Sequence, residues 1–275
     1  MKMRESRVLK KLRAGEIASC FKINFADGQA SELAAMLGFD CLWLDQEHLA
    51  QNWSVINAHV WAAKAHNVDV MVRVPRGSYS DYVKPLELDA TGILVPHIMS
   101  AQDARNVVQM TRFHPVGRRA IDGGSADGSY TNLDFNEYLR QANEQRFVIV
   151  QIEDPEPLEE LDEIASIEGV DGLFFGPGDF SQAIGAPGEW HHPRLVEARK
   201  RVAEAANRHG KIAATTGSVD RLAEFVGMGY RFVSVGADVI GVNTYCQNIL
   251  TKFEQVRAGS RETTVATQTA QGGYK

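Results

Sequence analysis

The stretch CLWLDQEH, residues 41–48, is apolar for four positions and then carries two carboxylates and an imidazole within the next four. Burying any of those groups unpaired is costly, so the run reads as a core strand ending in the open or in a shielded site where chemistry takes place. Seven further apolar or β-branched runs share its character: IASCFKI (17–23), VMVRV (70–74), GILVPHI (92–98), FVIVQIE (147–153), GLFFG (172–176), KIAATT (211–216) and FVSVG (232–236). Between them lie segments of helical spacing, among them SELAAMLG, VINAHVWAAKAHN, AQDARNVVQMTRF, LEELDEIASIEG, PRLVEARKRVAEAANRHG, VDRLAEFVGMG and VIGVNTYCQNILTKFEQVR. Strands that are apolar nearly throughout and alternate with helices imply a parallel sheet covered on both faces. Eight such units without a break in composition predict an α/β chain forming one (β/α)8 TIM barrel over residues 1–257, followed by a flexible polar tail, 258–275. A doubly wound sheet is disfavoured because neither GxGxxG nor GxxxxGK[ST] occurs. Gly38, Gly169, Gly210 and Gly229 fall where helices need a left-handed C-cap.

Composition narrows the partners. Of the 275 residues 44% are apolar and 23% charged, with a net charge of -6, which argues against a general nucleic-acid or membrane-surface binder and for small molecules and copies of the chain itself. Three scattered cysteines, Cys20, Cys41 and Cys246, in apolar surroundings read as reduced core thiols and a cytoplasmic setting. The basic amino terminus has no apolar segment after it and reads as an amphipathic first helix. Residues 117–135, rich in Gly, Ser and Asp, form a loop long enough to be a lid, a binding loop or disordered.

In a barrel the reactive side chains collect at the carboxyl ends of the strands. Asp45, Glu47 and His48 follow the second strand, Arg73 closes the third, His97 the fourth, and Gln151 and Glu153 the fifth; Asp179 lies beyond the sixth and Asp238 beyond the eighth. Glu153 and Asp179 fall on neighbouring staves, where two facing carboxylates repel unless they share a proton or a cation; oxygen ligands favour Mg, Mn or Co. An acidic helix start is the competing explanation for Glu153. In GPGDFS, residues 176–181, the glycines let backbone N–H groups approach a ligand and Asp179 can bind a cation, although a simple turn explains the same letters. Asp45 can orient the His48 ring if the segment makes a helical turn. Arg73, the only charge in its strand, is aimed at an anion or a carbonyl oxygen, or pairs with a core acid. None of the strand-end motifs supplies a lysine for a Schiff base. His191 and His192 read as loop, His59, His66, His114 and His209 as solvated, and the four tryptophans as core.

The motifs GFDCLWLDQEH, VRVP, GILVPHI, RFHPVGRR, FVIVQIED, GVDGLFFGPGDFS and FVSVGAD, in this order from about residue 15 to about 255, resemble the HpcH/HpaI aldolase family, metal-dependent class II pyruvate aldolases acting on 4-hydroxy-2-oxo acids. The resemblance implies a barrel of the phosphoenolpyruvate/pyruvate-binding type whose last helix is exchanged between subunits of a homo-hexamer, a trimer of dimers. It implies that Glu153 and Asp179 are the metal ligands, that Gln151 is the neighbouring substrate-binding residue, and that the backbone of Gly178 and Asp179 holds the pyruvate carboxylate. It also implies that Asp45 and His48 form the acid and base pair, that Arg73 steadies the enolate oxygen, and that Asp89 reaches a neighbouring subunit's site. Gln46 and Gly178 depart from the family's more common Gly and Ala.

The expected reaction is reversible cleavage of a 4-hydroxy-2-oxo acid into pyruvate and an aldehyde through a metal-stabilised enolate, with a divalent ion (Mg, Mn or Co) as cofactor. The alternatives are an acyl-thioester lyase of the citrate lyase β-like type, against which stands the lack of a basic patch for coenzyme A, and a non-catalytic metal-binding barrel.

Overall fold

A computed structural model describes residues 1–271, with side chains as far as Gly259. Eight parallel strands close on themselves in sequence order: β1 (Ala18–Lys22), β2 (Cys41–Asp45), β3 (Asp69–Arg73), β4 (Gly92–Val95), β5 (Phe147–Ile152), β6 (Gly172–Phe175), β7 (Ile212–Gly217) and β8 (Phe232–Ala237). This is the (β/α)8 barrel the alternation predicts, and each of the eight apolar runs overlaps one strand.

The strands are apolar on both faces because each face packs on a different core. Cys20, Trp43, Met71, Leu94, Phe147, Ile149, Phe174 and Phe232 point inward and fill the barrel. Their neighbours along the chain, such as Leu42, Leu44, Val72, Ile93, Val148, Val150 and Phe175, point outward against the helices. Gly92 is needed on β4 because a Cβ there would lie 2.0 Å from the Phe147 ring. The amino end is closed by α1 (Arg7–Arg13), whose Val8 and Leu9 join the inner core. There Asp69 accepts from Ser6 Oγ at 2.6 Å, Val8 N at 2.9 Å and Arg4 Nη1 at 3.0 Å.

The outer helices are α2 (Gly28–Met36), α3 (Trp53–Ala65), α4 (Tyr79–Glu87), α5 (Ala101–Thr111), α6 (Phe135–Gln145), α7 (Leu161–Ser166), α8 (Pro177–Ala183), α9 (Pro193–Arg208) and α10 (Leu222–Gly227). Gly38, Gly169, Gly210 and Gly229 all take the left-handed conformation expected of them, with φ between 65° and 100°. The last helix, α11, runs Asp238–Gln271. The tail boundary at 257/258 falls inside it, and residues 272–275 of that tail lie outside the described residues. No helix among the described residues is long and apolar enough to cross a membrane.

Several local readings are corrected. His59 is fully buried, since positions 56, 59, 60 and 63 form the inner face of α3; its Nδ1 is 2.8 Å from Ser31 Oγ, and burial pulls its pKa below the usual value. Trp61 and Trp190 are exposed, whereas Trp43 is core. Cys246 is exposed on α11, while Cys20 and Cys41 are buried. The loop before α6 is tied down: Arg119 and Tyr138 both bond Asp127 Oδ2, at 2.6 and 2.9 Å, and Ala120 N donates to Tyr79 Oη at 2.8 Å.

Candidate active site

On β1, β2, β3 and β5 the inward parity continues past the core into polar side chains at the carboxyl end. On β2 and β3 it ends in Asp45 and Arg73, which are register partners, and on β1 it ends in Lys22. Asp45 is buried and accepts from Arg73 Nε at 3.0 Å, Arg73 Nη2 at 2.6 Å and Lys22 Nζ at 2.7 Å. Burial opposes ionisation here, but the guanidinium of Arg73 and the ammonium of Lys22 overcome it and hold the Asp45 carboxyl at about 2. Both cations lie over the Trp43 ring, 5.0 and 4.7 Å from its centroid, so the indole forms the floor between the charged mouth and the dry interior.

The expected contact between the Asp45 carboxylate and the His48 ring is absent. Residues 46–49 form bends and no helical turn, and Asp45 Oδ1 instead accepts the main-chain N–H groups of Glu47 at 3.1 Å and His48 at 3.4 Å. The His48 ring is more than half exposed and its Nε2 lies 3.6 Å from Glu47 Oε2. A lysine does stand at a strand end, contrary to expectation; Lys22 carried the same signal as Arg73, a single charge in an apolar run.

Glu47, which the sequence offered only as part of a cluster, is central. Its Oε2 lies 3.0 Å from Arg73 Nη1 and its Oε1 lies 3.6 Å from His97 Nε2. His97 follows β4 with φ +49°, donates its backbone N–H to Glu153 Oε1 at 2.9 Å, and sets Nδ1 2.8 Å from Asp154 Oδ2. Ligand atoms of Glu47, His97 and Glu153 all lie within 4.8 Å of one another, which brings together a candidate cation site from three strand ends. Partial burial pulls His97 down, but the Asp154 bond and the charges of Glu153, Asp154 and Glu47 raise it overall.

Glu153 is buried and hydrogen-bonded by Gln151 Nε2. Burial first, and then the charges of Asp179 and Glu47, push its carboxyl up to about 7 against the opposing effect of His97. Asp179 is thus close enough to Glu153 to repel it, but it sits on the first turn of α8, partly exposed, with Gly178 beside it. Gly176 precedes them, and a Cβ there would lie 2.6 Å from Glu153 Oε2 and 2.7 Å from Gln151 Nε2. That glycine is the reason the α8 turn can close over the Glu153 carboxylate. Gln151 Oε1, Trp43 Nε1 and Ser234 Oγ are buried without a hydrogen-bond partner, and a crowd of carboxylates with one raised toward neutrality is the donor chemistry a divalent cation relieves.

Asp89 is not brought to this mouth. It precedes β4 at the amino end of the barrel, buried, with Lys64 and Arg146 on its two carboxylate oxygens. Asp238, beyond β8, caps the β1 loop by accepting from Asn24 N at 2.8 Å and Phe25 N at 2.9 Å.

A closed (β/α)8 barrel with ionisable side chains gathered where its strands end defines a barrel enzyme. Residues 23–243 match the profile of the HpcH/HpaI aldolase/citrate lyase family, and the chain belongs to it. It is 34% identical over 234 residues to a hydroxypyruvate/pyruvate aldolase of Pseudomonas aeruginosa, covering 85% of this chain and 87% of that one. It is 30% identical over 254 residues to a 2-keto-3-deoxy-L-rhamnonate aldolase of Escherichia coli, covering 91% and 94%. The solved HpcH/HpaI aldolase of Desulfitobacterium hafniense superposes with a TM-score of 0.85 at 27% identity, covering 90% and 96%. The chain is accordingly a carbon–carbon lyase.

Proposed function

We propose that this chain is a divalent-cation-dependent aldolase that reversibly cleaves a 4-hydroxy-2-oxo acid into pyruvate and an aldehyde. The observation that carries the reading is the convergence of Glu153, Gln151, Glu47 and the Asp45–Arg73 pair at one barrel mouth, with Gly176 making room for the α8 turn above them. Glu153 and Asp179, with Glu47 and His97 beside them, would hold Mg, Mn or Co. A bound divalent ion supplies Lewis acidity toward the carboxylate and C2 oxygens of a 2-oxo acid.

The chain's own groups do the rest. The N–H groups of Gly178 and Asp179, in the first turn of α8 where helical partners are lacking, suit the substrate carboxylate. Arg73, locked by Asp45 and Glu47, presents a fixed positive charge to the oxygen that gains charge in the reaction, so little reorganisation is needed. In cleavage His48 takes the C4 hydroxyl proton, the C3–C4 bonding pair passes to the pyruvate fragment as its enolate, the aldehyde departs, and C3 takes a proton from water while His48 gives its own back to solvent. Glu47 Oε2, 3.6 Å from His48 Nε2, takes the orienting role expected of Asp45. Lys22 Nζ is engaged by Asp45 Oδ2 at 2.7 Å, so the reaction is written without an imine. Asp89 is left outside this constellation.

A homo-oligomer, a hexamer formed as a trimer of dimers with α11 exchanged, belongs to the same proposal. It is supported by the exposure of Ile240, Tyr245, Ile249, Leu250 and Phe253 on α11, each more than half exposed, an apolar surface that a lone subunit would leave in water.

The test is pyruvate release from a racemic 4-hydroxy-2-oxo acid after chelation and after adding back each metal. Loss on chelation with recovery on Mg, Mn or Co is expected; no release with any of them, from folded protein, overturns the reading in favour of a thioester lyase or a binding barrel.

A further inference from the structure

We propose that the cavity at the amino end of the barrel, between α1 and the starts of β6, β7 and β8, binds a small multivalent oxyanion, a phosphate or a polycarboxylate, that clamps α1 to the barrel. The inference goes beyond the aldolase reading and does not depend on it, because this cavity lies at the end of the barrel opposite the mouth. It measures about 360 Å3, room for a small metabolite. Arg13, the last residue of α1, lines it together with Lys211 and Arg231, which stand immediately before β7 and β8. Leu9 and Leu12 of α1 and Ile212 of β7 supply an apolar wall.

The charges on this cavity are not balanced by the protein. The hydrogen bonds of the three cations go to main-chain carbonyls: Arg13 Nη2 donates to Glu144 at 2.8 Å, Lys211 Nζ to Ile167 at 3.2 Å and Val170 at 2.8 Å, and Arg231 Nη1 to Val226 and Tyr230, both at 2.9 Å. Bonds of this kind are what cations near helix C-termini ordinarily make, and they hold the side chains in place without neutralising them. They leave Nε and Nη1 of Arg13 and Nε and Nη2 of Arg231 without an acceptor among the described residues. Asp171 is the one carboxylate on the cavity wall, and its Oδ2 is already taken by Arg112 and by Val148 N at 2.6 Å. Burial lowers the pKa of Lys211, and the charge of Asp171 only partly offsets it. Three uncompensated cations around one cavity, in a chain of net charge -6, are the electrostatic footprint of an anion. Guanidinium groups from α1 and from the start of β8 each offer planar N–H donors, so an anion with several oxygens can bridge the helix and the barrel.

The experiment titrates full-length protein, stripped of metal and dialysed free of chelator, with inorganic phosphate and separately with citrate, by calorimetry at low ionic strength. The variants are Arg13→Gln and Arg231→Gln at the cavity and Arg73→Gln at the mouth. The wild type is expected to bind at least one of the two anions, phosphate pointing to phosphate esters and citrate to polycarboxylates. Affinity should fall about tenfold in each cavity variant and change less than about twofold in Arg73→Gln. The bound anion should also raise Tm in the wild type and not in Arg13→Gln, since it ties α1 to the folded barrel. A wild type that binds neither anion, or a loss in Arg73→Gln with the cavity variants unchanged, overturns the proposal and leaves the aldolase reading untouched. If Arg231→Gln does not fold by circular dichroism, Arg13→Gln decides, because that side chain is exposed and its loss leaves the core intact.

Discussion

Asp45 and Arg73, register partners on β2 and β3, close on each other through two hydrogen bonds, Nε to Oδ1 at 3.0 Å and Nη2 to Oδ2 at 2.6 Å, with both side chains almost wholly removed from solvent. The pair fixes the guanidinium before any substrate arrives. It also makes stability depend on pH. The folded carboxyl stands at about 2, below its ordinary value, so its contribution is complete above the ordinary range and is lost as pH falls toward 2. Urea unfolding of wild type and Asp45→Asn should differ by about 2 kcal/mol at pH 7, and the gap should narrow steadily below pH 4. A gap independent of pH would mean the charge of Asp45 is not what stabilises the mouth.

Removal of either acid should empty the cation site without unfolding the barrel. Glu153→Ala and Asp179→Ala are expected to lose metal retained after dialysis, measured by elemental analysis, with unchanged circular dichroism. Either variant keeping both metal and full turnover would strike that residue from the ligand set.

Gly176→Ala tests the close approach of the α8 turn. The added methyl meets Glu153 Oε2, Glu153 Cβ and Gln151 Nε2, all within 2.8 Å, and those side chains must move. The expected outcome is at least about a tenfold fall in kcat/KM, a loss of roughly 1.4 kcal/mol in transition-state stabilisation, with little change in Tm. Wild-type kinetics would show that the turn has slack the geometry denies.

His48→Ala should separate proton transfer from binding. Turnover is expected to fall about a hundredfold or more while calorimetric metal affinity stays within error, because His48 is exposed and touches Glu47 only through its ring edge. An unchanged kcat removes it from the reaction and leaves Glu47 as the nearest base.

The barrel was legible because its strands are buried on both faces, which writes each as a short apolar run, and because left-handed glycines punctuate the helices. The helix α4 was harder to see: it is nine residues long, carries Pro85 and three charges, and is held at its start by a capping box between Ser78 and Asp81. Arg73, Gln151 and Glu153 were readable as polar residues continuing the inward parity of apolar strands. Lys22 bore the same mark in IASCFKI. His59 was also readable, since it shares the buried face of α3 with Ile56, Val60 and Ala63. What no local pattern contained was the meeting of Glu47, His97 and Glu153, which depends on closure of the sheet bringing the ends of β2, β4 and β5 to one point. The spacing of Asp45 and His48 pointed to a side-chain contact that the chain replaces with two main-chain bonds, because Asp45 is already claimed by two cations.

The alternation of β5 has a consequence for how such a chain can change. Ile149 and Gln151 face inward and lead to Glu153, while Val148, Val150 and Ile152 face the helices. A single residue inserted or lost in this strand would turn a carboxylate into the helical layer and a branched alkyl group into the mouth. Heritable variation that preserves the chemistry is therefore confined to substitutions and to the connecting loops.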